Sequence, residues 1–420
     1  MSTKLPAPEL LAPVGSMEML ETAFAFGADA IYAGQPRYSL RVRNNEFGKL
    51  ESLAEGINRT HELGKKFFLV SNVLPHNAKV KTYLEDITPV IALKPDALIM
   101  ADPGLIMMVR EHWPDMPIHL SVQANTVNYA AIKFWKQFGI ERVILSRELS
   151  LDEVAEIRQE SPDMELEVFV HGALCIAYSG RCLLSGYFNH RDPNQGSCTN
   201  SCRWDYKIKA GIEDASGDVH LLEESMRPGQ YMPIEEDEHG TYILNSKDLR
   251  AIEHVQRLVD IGVNSLKIEG RTKSAYYVAR TCQSYRQGID DAVAGRPLDP
   301  ALLSNLEGLA NRGYTGGFYD RHPDQDYQNY LKGHSESSRS QYVGNVLGYG
   351  ADGLARVEVK NKFSVGDRLE IIHPSGNQEL VLNSLVGRDG APATVAPGSG
   401  HEVRIPLPAG LERAFLARYV

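Results

Sequence analysis

Short, continuously apolar runs recur through the first two-thirds of the chain. Longer stretches with helical periodicity separate most of them. PELLAPV near the N-terminus, AIYAG at 30–34, KKFFLVSN near 65–72, ALIMAD near 97–102, IHLSVQA near 118–124, RVILSRE near 142–148, LEVFVHG near 166–172 and SLKIEGR near 265–271 read as strands. Runs that are apolar throughout, rather than alternating with polar residues, belong to strands buried on both faces, as in a parallel sheet covered by helices. The segments between them supply those helices. SMEMLETAFAFG opens with Ser16 as N-cap, places Glu18 in the first turn and meets Gly27 just past its end. AAIKFWKQFG and LDEVAEIRQE have the same character. Eight such units predict an α/β fold, a (β/α)8 TIM-like barrel whose active site lies at the C-terminal ends of the strands. A doubly wound open sheet is the competing arrangement.

About ninety residues separate the seventh and eighth strands, far more than a βα loop needs. This insertion, at about 173–245, includes the acidic stretch GIEDASGDVHLLEESMRPGQYMPIEEDEHG, which reads as surface hairpins and irregular chain. After the eighth strand, KSAYYVARTCQSYRQGIDDAVAG predicts a long helix and KGHSESSRSQ a polar linker. From Tyr342 the pattern changes to short strands punctuated by ADG, PSGN and RDG, which predicts a small all-β barrel. The expected division is a barrel domain over 1–335 and a C-terminal β-barrel domain over 336–420.

Composition narrows the functional classes. The chain has 420 residues, 43% hydrophobic and 23% charged, with a formal net charge of −10. That balance suits a globular protein and argues against broad non-specific nucleic-acid binding, so DNA is not an expected partner. No run approaches the roughly 18 apolar residues of a membrane span, so no membrane partner is expected. The first residues do not resemble a secretory signal, and the expected location is cytoplasmic, where thiols stay reduced.

Compartment matters because four of the five cysteines, Cys175, Cys182, Cys198 and Cys202, fall in the one segment VHGALCIAYSGRCLLSGYFNHRDPNQGSCTNSCRWDY. Thiolates suit iron–sulfur clusters, zinc and copper(I). The C-x6-C-x15-C-x3-C spacing has one tight pair and one pair too wide for the usual structural zinc site. An iron–sulfur cluster, zinc, and redox or inert thiols all remain open on spacing alone. Cys282 stands apart in the long helix and reads as a small core residue.

ELEVFVHGALCIAYSGRCLLSGYF closely resembles the signature of the collagenase-like peptidase family of unknown catalytic type, and PELLAPVGSMEML, GADAIYAG and SLKIEGR resemble its other motifs. The resemblance covers essentially the whole chain. It implies an oxygen-independent hydroxylase in which Cys175, Cys182, Cys198 and Cys202 bind an iron–sulfur cluster of the four-iron, four-sulfur (4Fe–4S) kind. The length and the GSCTNSCRW pair most resemble the branch associated with prephenate-dependent hydroxylation of the wobble uridine (U34) of tRNA at C5, to 5-hydroxyuridine. That branch implies the tRNA anticodon loop as partner, and prephenate or a derivative, a small dicarboxylate, as hydroxyl donor or precursor. Other branches imply an iron–sulfur hydroxylase of ribosomal RNA or of a quinone precursor. A zinc-stabilised, non-catalytic RNA-binding protein is the alternative of another class. Proteolysis is not expected from the residues, because HExxH and GxSxG are both absent.

The strand ends supply candidate catalytic residues. Arg147 and Arg271 are placed to grip a carboxylate or phosphate, which Arg does bidentately. Glu148 and Glu269 are candidate acids or bases, and His171 a candidate proton carrier or a donor to the cluster. Salt bridges at a barrel rim explain the four charged residues as readily, and a satisfied strand-end histidine explains His171. Lys267 alternates with Glu269 on the eighth strand. Asn72, Gln123 and Asn125 read either as turn formers or as groups facing a base edge. For RNA contact, the insertion interleaves Arg181, Arg191, Arg203, Lys207 and Lys209 with Tyr187, Phe188, Trp204 and Tyr206, and the C-terminal barrel offers Arg356, Lys360 and Lys362 as a basic side.

Overall fold

The computed structural model describes residues 6–34, 37–40, 45–174, 206–210, 220–224, 231–234, 236–237, 240–241, 247–270, 273–311, 313–320 and 340–419. Seven parallel strands run in chain order: β1 (Glu9–Pro13), β2 (Ala30–Gly34), β3 (Lys66–Ser71), β4 (Ala97–Met100), β5 (Ile118–Leu120), β6 (Arg142–Ile144) and β7 (Glu165–Ala173). Within the insertion, β8 (Tyr206–Ala210), β9 (His220–Glu224) and β10 (Tyr231–Ile234) form an antiparallel sheet, and β11 (Glu236–Asp237) pairs with β12 (Gly240–Thr241). The chain returns through β13 (Asp248–Arg250), antiparallel to the end of β7, and then forms β14 (Ser265–Ile268). β14 pairs in parallel with both β7 and β1, which closes an eight-stranded barrel. β15 (Tyr314–Thr315) joins the outer edge of β13.

Helices α1 (Met17–Ala25), α2 (Leu50–Glu62), α3 (Asn77–Val80), α4 (Tyr83–Ile91), α5 (Pro103–His112), α6 (Tyr129–Gln137), α7 (Leu151–Glu160), α8 (Val255–Ile261) and α9 (Ala275–Val293) cover the barrel, and α10 (Pro300–Glu307) follows. Their ends follow local chemistry. Ser16, Asp102, Asn128, Ser150 and Ser274 each accept a backbone N–H at a helix start. Gly27 takes a left-handed φ of 101° after α1. Among the described residues, no helix is long and apolar enough to cross a membrane.

Two strands end earlier than the apolar runs suggest. After Leu120 the Ser121 side chain accepts the Gln123 N–H and turns Val122–Ala124 into a 3-10 turn. After Ile144 the chain leaves the sheet, so Gln123, Asn125, Arg147 and Glu148 lie on loops beyond the strands' C-terminal ends. β7 carries a bulge: Phe169 pairs with Lys267, but His171 pairs with the next residue, Ile268. One extra residue in a strand reverses the side-chain alternation that follows it.

The C-terminal domain is an antiparallel half-barrel. Its strands are β16 (Ser340–Tyr349), β17 (Ala355–Val359), β18 (Phe363–Ser364), β19 (Arg368–Ile372), β20 (Gln378–Val381), β21 (Leu385–Gly387), β22 (Pro392–Ala393), β23 (Val395–Ala396), β24 (Glu402–Ile405) and β25 (Phe415–Tyr419). Eight of them form one sheet in the order β20-β19-β25-β16-β17-β24-β21-β22 over a core of their own, and β18 pairs with β23. The domain docks firmly on the barrel. Ile372, Phe415 and Ala417 join the barrel's hydrophobic core, and Tyr276 of α9 stacks on Tyr342 at 4.6 Å between ring centroids. Beneath them Arg280 makes a buried bidentate pair with Glu370 at 2.8 and 2.5 Å.

Candidate active site at the barrel mouth

Charge runs up the inside of the barrel. Arg142 on β6 meets Glu9 at 2.6 Å, Glu165 at 2.7 Å and Glu167 at 3.3 Å. The other oxygen of Glu167 accepts from Lys267 Nζ at 2.7 Å, and both of those side chains are buried. Buried charges persist only when paired in this way. His119, between them and in edge contact with Phe68, is held well below its ordinary pKa, first by desolvation and then by Arg142 and Lys267.

Above this ladder a cavity of about 220 Å³ opens at the C-terminal ends of the strands. Lys267 is in its floor, with Nζ 4.3 Å from the centre of the Tyr32 ring. Arg147 and Glu269 line it and meet across the mouth at 3.5 Å. The Arg147 guanidinium also lies 3.6 Å above the Phe169 ring, which fixes its plane. Asn72 lines the wall, but protein groups engage both ends of its amide: Oδ1 accepts the Leu40 N–H and Nδ2 donates to Ser121 Oγ. Gln123 lines the same wall, and its carboxamide makes no hydrogen bond to a described residue. The arrangement presents two cations, a carboxylate, an amide and two aromatic faces to one small space.

The other expected residues are placed differently. The bulge in β7 turns His171 away from the barrel axis, and it does not line the mouth. Its imidazole is fully buried among Tyr277, Tyr285 and Tyr314, with ring centroids at 5.8, 5.5 and 5.4 Å. Tyr285 donates its hydroxyl proton to the Val170 carbonyl at 2.6 Å. His171 Nδ1, 3.3 Å from that hydroxyl, therefore carries its own proton, a tautomer assigned from the network. Desolvation pushes the pKa of His171 down to about 3, so the ring is neutral. Glu148 also lies outside the mouth lining, and its Oε2 is buried without a hydrogen bond. Asn125 takes a left-handed φ of 51° and accepts from Ser146 Oγ, which is turn chemistry. In the C-terminal domain, Arg356 is paired with Glu402 and Lys360 with Glu358, so two of the three expected basic residues are neutralised locally.

Arg271, Cys175, Cys182, Cys198 and Cys202 lie outside the described residues, as do Arg181, Tyr187, Phe188, Arg191, Arg203 and Trp204 of the insertion, while Tyr206, Lys207 and Lys209 fall on β8. Leu174, the last residue described before Cys175, directly follows β7 on the face where the mouth opens. Among the described residues no three metal-ligating side chains converge. Cys282 is fully buried in α9, and desolvation pushes its thiol up. Reading the sequence for strand ends missed Tyr32, Phe169 and the Arg142–Glu167 ladder. The available signal was charge inside strands otherwise apolar on both faces.

The comparisons with known proteins cover the same two domains. The model of "Peptidase family U32" matches residues 15–329, and that of "Peptidase family U32 C-terminal domain" matches 338–418. A protein of Escherichia coli (strain K12) named "tRNA hydroxylation protein P" is 59% identical over 430 residues, covering 96% of this chain and 95% of its own. The Haemophilus influenzae protein of the same name is 55% identical, covering 98% of this chain and 96% of its own. Among solved structures, the U32 peptidase Mk0906 aligns over 65% of this chain and 96% of its own, with 12% identity and a TM-score of 0.42. With both domains matched and near-complete overlap with these relatives, the chain belongs to peptidase family U32.

Proposed function

We propose that this chain hydroxylates tRNA at C5 of the wobble uridine (U34), giving 5-hydroxyuridine in a prephenate-dependent reaction, with Cys175, Cys182, Cys198 and Cys202 holding a 4Fe–4S cluster. The carrying observation is the 59% identity, across both domains, to a protein named for tRNA hydroxylation. The donor set fits the group: four soft thiolates sit in one segment that begins just beyond β7 on the side of the mouth. When bound, the cluster supplies redox or Lewis-acid chemistry that side chains lack.

The chain's own residues bind and orient. A cavity of about 220 Å³ equals about seven waters at roughly 30 Å³ each, the scale of one small ring rather than a base pair. An anticodon-loop base is already weakly stacked and enters such a pocket cheaply. Arg147 and Lys267 provide the cations for a small dicarboxylate such as prephenate. Gln123 offers both a donor and an acceptor to a uracil edge. Glu269, held by Arg147, is the carboxylate at the mouth that can take a proton.

The test is nucleoside mass analysis of tRNA from a strain lacking the gene and supplied with the wild-type or Cys198→Ser chain. Wild type restores 5-hydroxyuridine and Cys198→Ser does not. Iron and sulfide analysis after anaerobic purification accompanies it, with iron near stoichiometric in the wild type and lost in the variant. Restoration by Cys198→Ser would remove the cluster from the mechanism. A change confined to ribosomal RNA would remove tRNA as substrate.

A further inference from the structure

A second cleft, of about 540 Å³, opens between the two domains. Among the described residues, Lys273 and Arg418 line it and no carboxylate does, on a chain whose net charge is −10. The 19-residue helix α9 begins there: its N-cap, Ser274, is in the lining, so the positive end of the helix dipole faces the space. Tyr276 lines it too. That residue is 5% exposed, and its hydroxyl closes no hydrogen bond of ordinary geometry, although Ser340 and Arg280 lie beside it. Arg418 is held in place by Gln341 Oε1 at 3.0 Å and by Asp367 at 3.7 Å. A guanidinium has five donors, so these contacts leave it capacity for an anion.

Position gives the cleft its meaning. Tyr277 lines the cleft and donates its hydroxyl proton to the Glu269 carbonyl at 2.6 Å, while the Glu269 side chain lines the barrel mouth. This one hydrogen bond joins the linings of the two cavities. The geometry points to the interdomain cleft as a subsite for a phosphate of the RNA, next to the nucleotide whose base enters the mouth. This inference rests on RNA being the substrate. It gives the C-terminal domain a direct part in binding, through Arg418, whose 3.7 Å contact to Asp367 is looser than the pairs that hold Arg356 and Lys360 at 2.8 and 2.7 Å.

The experiment uses the full chain and fluorescence anisotropy of a labelled anticodon stem-loop, between about 50 and 200 mM salt. Lys273→Met and Arg418→Met remove one cation each. Each is expected to weaken binding about tenfold and to flatten the slope of log affinity against log salt by about 0.7, the value for one phosphate contact on a single strand. Asn361→Trp fills the cleft, leaves both cations, and is expected to weaken binding to a similar degree. Unlabelled uridine monophosphate, measured separately, shows whether a free nucleotide is the occupant: binding of it that is lost in the variants, with stem-loop affinity unchanged, overturns the RNA assignment. Unchanged stem-loop affinity and slope in those variants that unfold at the wild-type temperature also overturns it. Stem-loop binding that needs the cleft, in a chain that makes no 5-hydroxyuridine, would leave this inference standing and remove the proposed reaction.

Discussion

Lys267→Met separates the structural from the functional role of the cation in the floor of the mouth. Lys267 Nζ lies 2.7 Å from Glu167, with the two side chains 4% and 0% exposed. Methionine keeps most of the stem's volume and removes the charge, which leaves the Glu167 carboxylate in the barrel interior with the longer, 3.3 Å contact to Arg142. Breaking a buried pair costs about 3–5 kcal/mol. The remaining Arg142 contact places this substitution near the lower end, at about 3 kcal/mol. Glu167→Met strips a carboxylate from two cations at once and is expected to cost about 4 kcal/mol. In the double variant no charge is orphaned, because Arg142 retains Glu9 and Glu165. Its stability should return to within about 1 kcal/mol of wild type. The assays are urea denaturation and the 5-hydroxyuridine content of tRNA in a strain carrying each variant. Stability is expected to recover in the double variant while modification does not, since the cation is gone. A Lys267→Met chain as stable as wild type would refute the buried-pair reasoning. A double variant that modifies tRNA normally would show that Lys267 only fills the barrel.

Three further expectations concern the frame of the site. Because burial holds the pKa of His171 at about 3 instead of 6.5, the unfolded chain binds a proton below pH 6.5 that the folded chain refuses. The stability concerned is complete above 6.5 and falls as pH drops toward 3; at about pH 5 the loss is about 2 kcal/mol, and His171→Gln should remove that part of the slope between about pH 8 and pH 5, an unchanged slope counting against the assignment. Arg280→Met orphans Glu370 between the domains, where the pair is 3% and 8% exposed, and should lower stability by about 3–5 kcal/mol in denaturant unfolding; a loss below about 1 kcal/mol would mean the interface does not desolvate the pair. Gly172→Ala forces a Cβ to 2.3 Å from the Glu269 carbonyl at a φ of +102°, so β7 and β14 must separate at the mouth; loss of more than about 2 kcal/mol together with lost modification is expected, and wild-type behaviour in both would show that the strands yield there.

The barrel was legible because a strand buried on both faces needs an apolar run, and eight such runs stand out. Strand ends were less legible. Val122 and Ala124 in IHLSVQA and Leu145 in RVILSRE carry apolar character past the last sheet residue, and the Ser121 side-chain turn that stops β5 depends on a hydroxyl geometry that composition does not reveal. The direction of His171 was hidden for a stronger reason. The bulge in β7 exists only against β14, about a hundred residues later, and one added residue sends the imidazole into a cluster of tyrosines. Arg147 and Glu269 were visible as charges at strand ends, but their meeting across the mouth is a property of closure. The same limit misled the reading of the C-terminal domain, where Arg356 looks basic in sequence and is neutralised by Glu402, 46 residues away.

The charge ladder inside the barrel is the feature that stability explains least. Parallel barrels are filled mainly by branched apolar side chains, and a buried ion network is on balance no more stabilising than a well-packed apolar replacement. Glu9, Arg142, Glu167 and Lys267 nevertheless run from the lower strand ends to the floor of the mouth, each held by at least one partner within 3.3 Å. What such a ladder provides is position. A lysine clamped by Glu167 and set 4.3 Å from the Tyr32 ring cannot swing out to solvent, so its charge stays at one point beneath a cavity whose wall carries Arg147. Lys267 and Arg147 both line the space of about 220 Å³, and each is already engaged by a carboxylate, Glu167 and Glu269, so an anionic ligand entering the mouth meets cations whose places are set before it arrives. The charge beneath the mouth is thus set by the barrel core, below the loops that carry Arg147 and Gln123.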